Sequence, residues 1–262
     1  MRPTITDIGV YESIPTNYIV SELTKLTNRL EVINAIKTLI VPECFNNSDN
    51  AIYTACLEFD HSFENIVFKG TTWWNGYNAT SIDRKDLVWI SKYKPKNVEC
   101  YKAENFLGSS HVGSFESFII HDTIGGYEDP RWSGNTIKTF VMEHRSEVST
   151  GAYANAAYYW SQCSSLETII IGDCDKCSNA YLSGSLTSTS VKNFMLAGIK
   201  NKVPNIANAP NITHESLVYV MEHAYDWSGD SNTHTWTIGS TNLAKLTQAE
   251  IDAFEAKGWT LA

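Results

Sequence analysis

A six-residue word, apolar, charged, small polar and then three apolar residues, recurs along this chain and constrains its fold more than any other feature. Its copies are Ile36-Lys37-Thr38-Leu39-Ile40-Val41, Phe63-Glu64-Asn65-Ile66-Val67-Phe68, Phe115-Glu116-Ser117-Phe118-Ile119-Ile120, Ile137-Lys138-Thr139-Phe140-Val141-Met142, Leu166-Glu167-Thr168-Ile169-Ile170-Ile171 and Val191-Lys192-Asn193-Phe194-Met195-Leu196. A degenerate copy, Pro95-Lys96-Asn97-Val98-Glu99-Cys100, fills the widest gap. The seven starts lie 27, 32, 20, 22, 29 and 25 residues apart, a period in the range of solenoids. The words are rich in β-branched and aromatic residues and have the length of strands. Hairpins do not span such separations, so successive copies are expected to run parallel and stack as rungs, each joined to the next by a loop or short helix.

Stacking in chain order places equivalent residues in ladders about 4.8 Å apart. Position two then reads Lys37, Glu64, Lys96, Glu116, Lys138, Glu167 and Lys192, alternating in sign through every copy. Like charges on neighbouring strands repel and opposite charges attract weakly. Chance mixing of surface charge is the alternative, but alternation under stacking also penalises a slipped register.

Strand side chains alternate, so with positions four and six pointing into a core, position five points out. That column reads Ile40, Val67, Glu99, Ile119, Val141, Ile170 and Met195. Monomers rarely leave such an apolar stripe bare. A loop of the same chain, burial of the strands on both faces, or a partner or second copy would cover it. Ile40, Val67, Ile119, Val141, Ile170 and Met195 are therefore the candidate interface.

The chain of 262 residues, 43% apolar, 12% aromatic and 19% charged, can bury one continuous core and is not of disordered composition. A net charge of -9 disfavours nucleic acid or an anionic membrane as partner. No stretch approaches the roughly 18 apolar residues of a membrane span. The start, Met1-Arg2-Pro3-Thr4-Ile5-Thr6-Asp7, lacks the apolar core of a secretion signal, which points to synthesis in a cytosol without export by that route. Cysteines at 44, 56, 100, 163, 174 and 177 are too sparse for a disulfide scaffold. The pair Cys174 and Cys177 forms one CxxC knuckle near Cys163, but a structural zinc site needs four ligands, so reduced structural thiols are preferred and no metal or cofactor is expected.

Ahead of the first word, residues 1 to 17 are an irregular polar arm, followed by Ile19, Leu23, Leu26, Leu30 and Ile33 at intervals of 4, 3, 4 and 3. This is the seam of one amphipathic helix, N-capped by Thr16 or Asn17. It is either a cap on the first rung or an oligomerisation seam. The inter-rung stretches 43 to 62 and 69 to 94 read as loops, the second carrying Trp73, Trp74, Tyr77 and Trp89. Trp132 and the run Tyr153, Tyr158, Tyr159 and Trp160 repeat the aromatic theme. Plain packing accounts for most of these residues. If exposed, Trp73, Trp74, Tyr77 and Trp132 are the candidate contacts to glycan or partner.

After the last word the pattern changes. Residues 212 to 224 read as a helix entered at Thr213, Thr235 to Gly239 as a strand, Thr247 to Lys257 as a helix with a Thr247/Glu250 capping box and Gly258 as its terminator, and Trp259 to Ala262 as a closing strand. Together they make a candidate C-terminal cap.

The word, with Glu215-Ser216-Leu217, Leu243-Ala244-Lys245-Leu246-Thr247, Glu250-Ile251 and Lys257-Gly258-Trp259-Thr260-Leu261, resembles the BspA-like leucine-rich repeat family. The tail form is similar to repeat proteins of tailed phages of gut Bacteroidales, including crAss-like phages, and of their hosts. The resemblance covers residues 36 to 262 and implies an adhesive or structural protein with no catalytic residues to carry over. Host adhesins of the family are exported, and the missing signal departs from that pattern. It shifts the expectation towards a virion component assembled in the host cytoplasm, with the N-terminal arm as its anchor.

Enzymatic signatures are weak. There is no GxSxG elbow, P-loop or HExxH. Asp122, Asp129, Glu143 and Asp173 follow successive rungs and are the candidates for a carboxylate pair of the glycosidase kind, yet acidic residues after strands are usually solvated turn residues. His121 and His144 occupy similar rung ends without a third ligand or nucleophile.

The expected architecture is an α/β, leucine-rich-repeat-like, right-handed solenoid with a stacked parallel sheet. Residues 1-35 form an N-terminal arm and helix, 36-210 the solenoid and 211-262 a small α/β cap. The expected function is a non-enzymatic head- or tail-fibre component of a phage virion, partnered by other virion proteins and by further copies of itself in a dimer or trimer. A glycan- or receptor-binding adhesin module and a cytosolic bacterial protein-interaction protein are the alternatives.

Overall fold

The computed structural model describes residues 37–41, 63–75, 94–107, 116–124, 127–128, 136–146, 151–152, 160–176, 182, 184–200 and 203–262. The strands in chain order are β1 (Thr38–Val41), β2 (Asn65–Asn75), β3 (Asn97–Leu107), β4 (Ser117–Ile124), β5 (Tyr127–Glu128), β6 (Thr139–Arg145), β7 (Gly151–Ala152), β8 (Thr168–Ile171), β9 (Asn193–Leu196), β10 (His234–Trp236) and β11 (Trp259–Leu261). Seven of them form one parallel sheet in the order β1-β2-β3-β4-β6-β8-β9, and β5 pairs with β7 in a small separate one. The seven are the seven words, taken in chain order.

Register follows the word residue for residue. Thr38 stands beside Asn65, Asn97, Ser117, Thr139, Thr168 and Asn193, so every copy is aligned at position three, the degenerate one included. The alignment is pinned from below: each position-two carbonyl accepts from the next two amides on the following rung, from Glu64 and Asn65 N on Lys37 O through Lys192 and Asn193 N on Glu167 O.

The physical cause of this register is burial on one face. Ile66, Val98, Phe118, Phe140, Ile169 and Phe194 at position four, and Phe68, Cys100, Ile120, Met142, Ile171 and Leu196 at position six, are buried in a single core. A one-residue slip would move all of them to the other face. Position one joins them through Phe63, Ile137, Leu166 and Val191. Each such side chain contributes about 1.5–3 kcal/mol when fully buried.

The repeat is longer than the six-residue word. Three residues past position six the chain turns a side chain back into the core: Ala103, Thr123, Arg145, Cys174 and Ile199 are all buried. No common chemistry marks this ninth position, so the pattern is invisible in sequence. Cys174 donates its thiol to Ile171 O at 3.4 Å inside the core, and Cys100 and Cys163 are buried there too. Cys177 lies outside the described residues.

Two expected boundaries shift. Strands β2 and β3 run seven residues beyond their words and β4 four, so Trp73 and Trp74 lie on β2 rather than in a loop, and Trp73 stands beside Glu104 of β3. The Thr-Thr-Trp-Trp run has strand propensity of its own, and a neighbouring strand is there to pair with it. Asp122 and Glu143 likewise sit within β4 and β6, not after them, whereas Asp173 does follow its strand.

Beyond β9, helix α1 (His214–Glu222) packs against that edge strand. Its N-cap Thr213 donates its amide to Lys192 O, continuing the ladder, and accepts from Ser216 N. Buried Ser216 donates to Lys192 O and accepts from Phe194 N at 3.1 Å, so the helix entrance satisfies the strand edge. An edge left bare would be open to adventitious pairing.

The strand expected over Thr235 to Gly239 ends earlier: β10 stops at Trp236, and Gly239 opens helix α2 (Gly239–Leu243). Gly239 has φ +75 and lies so close to Ala207 that a Cβ would approach its side chain to 2.8 Å, and the chain turns there into a helix. Helix α3 (Gln248–Ala256) carries the expected Thr247/Glu250 capping box and is stopped by Gly258, and β10 pairs in parallel with β11. Among the described residues no helix is long and apolar enough to cross a membrane.

Candidate functional site

The sheet presents rows at positions three, five and seven opposite the core, with position two as an exposed row at the strand starts. Position two is the alternating charge row, exposed, with Lys37 to Glu64 at 3.6 Å, Lys96 to Glu64 at 3.9 Å, Lys138 to Glu116 at 2.8 Å and Lys192 to Glu167 at 3.4 Å. The hydrogen bond and charge of Lys138 hold the Glu116 carboxyl below its ordinary range, and Glu116 raises the Lys138 ammonium in return. Position three is a ladder of amides and hydroxyls: Asn65 Nδ2 donates to Thr38 Oγ1 at 2.9 Å, Asn97 Nδ2 to Asn65 Oδ1 at 2.7 Å and Asn193 Nδ2 to Thr168 Oγ1 at 3.1 Å.

Position five is the apolar column. Val67, Ile119, Val141, Ile170 and Met195 stand in register and are half-buried, covered on their flanks by neighbouring rungs. Ile40 holds the same register on β1 beside Val67. These residues are brought together as expected. The seam residues Ile19, Leu23, Leu26, Leu30 and Ile33, together with Tyr77, Trp132 and Asp129, lie outside the described residues.

Position seven reads Lys69, Tyr101, His121 and Glu143 on β2, β3, β4 and β6, and then Gly172. It closes over the one charged member of the column. His121 Nε2 meets Glu99 Oε1 at 2.7 Å and His121 Nδ1 meets Glu143 Oε2 at 2.7 Å. The ring packs on Tyr101 with centroids 4.8 Å apart, and Lys69 Nζ sits 3.6 Å from the Tyr101 centroid. Ionised carboxylates only accept, so two such bonds require both ring nitrogens to donate, which is the imidazolium. Partial burial pulls the His121 pKa down, but the hydrogen bonds and charges of Glu143 and Glu99 outweigh it and the value is raised. Glu99, an interruption of the apolar column in sequence, is thus one member of an ion triad across three rungs.

This arrangement offers little to chemistry. Both His121 nitrogens are engaged in opposite directions, so neither is open to a substrate proton and the two carboxylates do not converge on one point. Among the described residues no group of three His, Cys, Asp or Glu side chains is placed to hold a metal ion. No family model matches this chain, and no curated protein or solved structure matches it either.

The remaining acidic rung-end residues tie one rung to the next. Asp122 accepts from the Ser146 amide at 2.9 Å and from its hydroxyl, and Asp173 accepts from the Arg145 amide at 3.0 Å. Lys176 Nζ reaches Arg145 O at 2.8 Å, and His144 lies 3.6 Å from Asp173. Both carboxylates hold backbone of the neighbouring rung, Asp122 from within β4 and Asp173 from just after β8.

The tail motif that carries the family resemblance is equally structural. Lys257 Nζ donates to Met221 O and Glu222 O at the C-terminal end of α1, where the helix dipole favours a cation. Gly258 has φ +81 and passes Trp227 so closely that a Cβ would lie 2.7 Å from its carbonyl oxygen. Trp259 donates from its indole to Tyr225 O at 2.8 Å and stacks on Phe254 with centroids 5.4 Å apart.

Proposed function

We propose that the chain is a leucine-rich-repeat-like solenoid of the BspA-like kind. Its sheet is closed at one end by α1, α2, α3 and the β10/β11 pair. It works as a non-enzymatic structural component of a phage virion, in a head or tail fibre or its adaptor, and associates with further copies of itself through the outer strand face.

The observation that carries this reading is the outer face itself. An apolar column in register across the sheet is framed by an ordered polar ladder and an alternating charge row, the pattern of an apolar centre with a polar rim. The engaged nitrogens of His121 and the backbone duties of Asp122 and Asp173 support a non-catalytic role.

Light scattering of the full chain, of Ile119→Asp/Ile170→Asp and of a chain lacking residues 1 to 35 tests it. An oligomer dispersed by the double substitution supports the face as interface. An oligomer dispersed only by the truncation moves assembly to the N-terminal seam, and a monomer at every concentration overturns the reading.

A further inference from the structure

Self-association through the outer face, the reading proposed above on which this inference rests, still leaves open how two copies meet. We infer that the occupant of the face is a second copy of this chain, docked about a two-fold axis parallel to the strands and lying between β3 and β4. The charge row decides the geometry. Let the rungs β1, β2, β3, β4, β6, β8 and β9 be numbered one to seven. A two-fold along the strand direction sets each position opposite the same position on the partner but reverses the rung order. If the axis runs along a strand, odd rungs face odd rungs, every Lys of position two meets a Lys and every Glu a Glu. If it runs between two strands, odd rungs face even ones and every opposed pair is Lys with Glu, because the sign alternates at all seven rungs. A two-fold along the stacking direction instead keeps each rung opposite itself and sets Glu99 against Glu99 in the middle of the apolar column.

Among the axes between strands, the one between rungs three and four satisfies two further observations. It sets Lys69 of rung two opposite Glu143 of rung five, twice by symmetry, joining the two charged residues that flank the position-seven row. It also brings Tyr101, 41% exposed and the exposed large apolar side chain of the sheet among the described residues, to the centre of the contact, opposite the partner's His121 ring. Aromatic anchors near the centre are where interface energy concentrates. The axis one rung further on sets Lys69 against Ala197 and Tyr101 against Gly172, and loses both. Lys37 then meets Glu167, Glu64 meets Lys138 and Lys96 meets Glu116. Six rungs overlap, a footprint of about 29 Å by about 17 Å from the rise and spacing of strands. That is below the roughly 800 Å² per partner of a standard interface, so the dimer is weak and concentration-dependent. The twist of each sheet turns facing strands about 30° apart, so matching is tightest next to the axis, at Lys96 and Glu116.

The test uses the full chain throughout. Analytical ultracentrifugation over a concentration series establishes whether a dimer forms; a monomer throughout sinks the assembly reading and this inference with it. Lys96→Cys and Glu116→Cys are then made in separate chains and treated with a short bismaleimide, with the wild-type chain as blank for its native cysteines. The expected result is covalent dimer forming faster in the one-to-one mixture than in either chain alone. Lys96→Cys linking to itself faster than to Glu116→Cys would put the axis on β3, and a persistent dimer without any cross-link would put the interface elsewhere. Either result overturns the register while leaving self-association standing. A second pair of variants reads the charge rule directly: Glu64→Lys/Glu116→Lys/Glu167→Lys carries an all-lysine row and Lys37→Glu/Lys96→Glu/Lys138→Glu/Lys192→Glu an all-glutamate row. With unchanged circular dichroism, each alone should dimerise at least about tenfold more weakly and the mixture should recover. An all-lysine chain that dimerises like wild type overturns the inference.

Discussion

The repeat sheet and the C-terminal segment from residue 203 onwards are held together in opposite ways. In the sheet, one contact is repeated at six junctions: the same positions are buried and the same carbonyls accept at each rung. In the C-terminal segment, each contact is made once. Asn242 donates to Ile206, Ala209 and Ile238 carbonyls, Lys245 to those of Pro210 and Ile212, Trp236 to that of Pro204 and Trp227 to that of Lys200. Burial lowers the Lys245 pKa, and the carbonyl oxygens around it satisfy the ammonium. Repetition lets a rung degenerate, as Pro95-Lys96-Asn97-Val98-Glu99-Cys100 has, without losing its place between two good neighbours. A segment whose contacts are all unique has no such reserve, which is a physical reason for its residues to be the more distinctive in sequence.

The comparison breaks most visibly at Trp236. Its side chain is fully buried, meets Phe254 edge-on and donates to Pro204 O, so Trp236→Ala should cost about 3–5 kcal/mol in denaturant unfolding. A loss below about 1 kcal/mol would mean the C-terminal segment has slack that its packing does not suggest.

Next comes the place where the sheet stops being forgiving. At position seven of β8 the chain carries Gly172, where a Cβ would fall 1.9 Å from Glu143 O on the adjacent rung. Gly172→Ala should therefore destabilise by about 1–3 kcal/mol, the ordinary cost of overpacking. Alanine behaving like glycine in thermal unfolding would show that the two rungs can part there freely.

A smaller effect separates the ion triad from the charge row. Because the His121 pKa is raised in the folded chain, its ion pairs contribute fully below the ordinary imidazole value of about 6.5 and that contribution is lost as pH rises through the raised value. The stability difference between wild type and His121→Gln should be about 0.2–1 kcal/mol at pH 5.5 and shrink by pH 8.5. A difference that grows with pH would reverse the assigned protonation.

Smallest of all, Lys138→Gln in the monomeric chain should leave the unfolding midpoint within error, because its partner Glu116 and its own head group are exposed. A clear loss at moderate salt would show that the charge row holds the fold and not only its surface.

Much of the sheet was legible before any coordinates. The six-residue word located all seven strands, its spacing implied parallel pairing, and the alternating sign at position two implied stacking in chain order, as the ladder from Lys37 to Lys192 shows. The capping residues Thr213, Thr247 and Glu250 and the terminator Gly258 were readable for the same reason: they act on backbone within four residues of themselves.

Less of the outer face was legible. Column membership follows from strand alternation, but the role of Glu99 depends on β4, which places His121 diagonally beside it, and on β6, which supplies Glu143 on the far side. The strand extensions that take in Trp73 and Trp74 depend on a neighbour being present to pair with.

What the sequence determined by itself is whatever repeats or acts locally. Periodicity specifies strands and register, because a wrong register exposes every rung's apolar pair at once. What only the tertiary structure decided are relations between residues that share no spacing: the buried ninth position held by Ala103, Thr123, Arg145, Cys174 and Ile199, the turn at Gly239 against Ala207, and the His121 triad. Each depends on which atoms the folded chain brings within a few ångströms, and a close approach between distant residues leaves no period for a sequence to display.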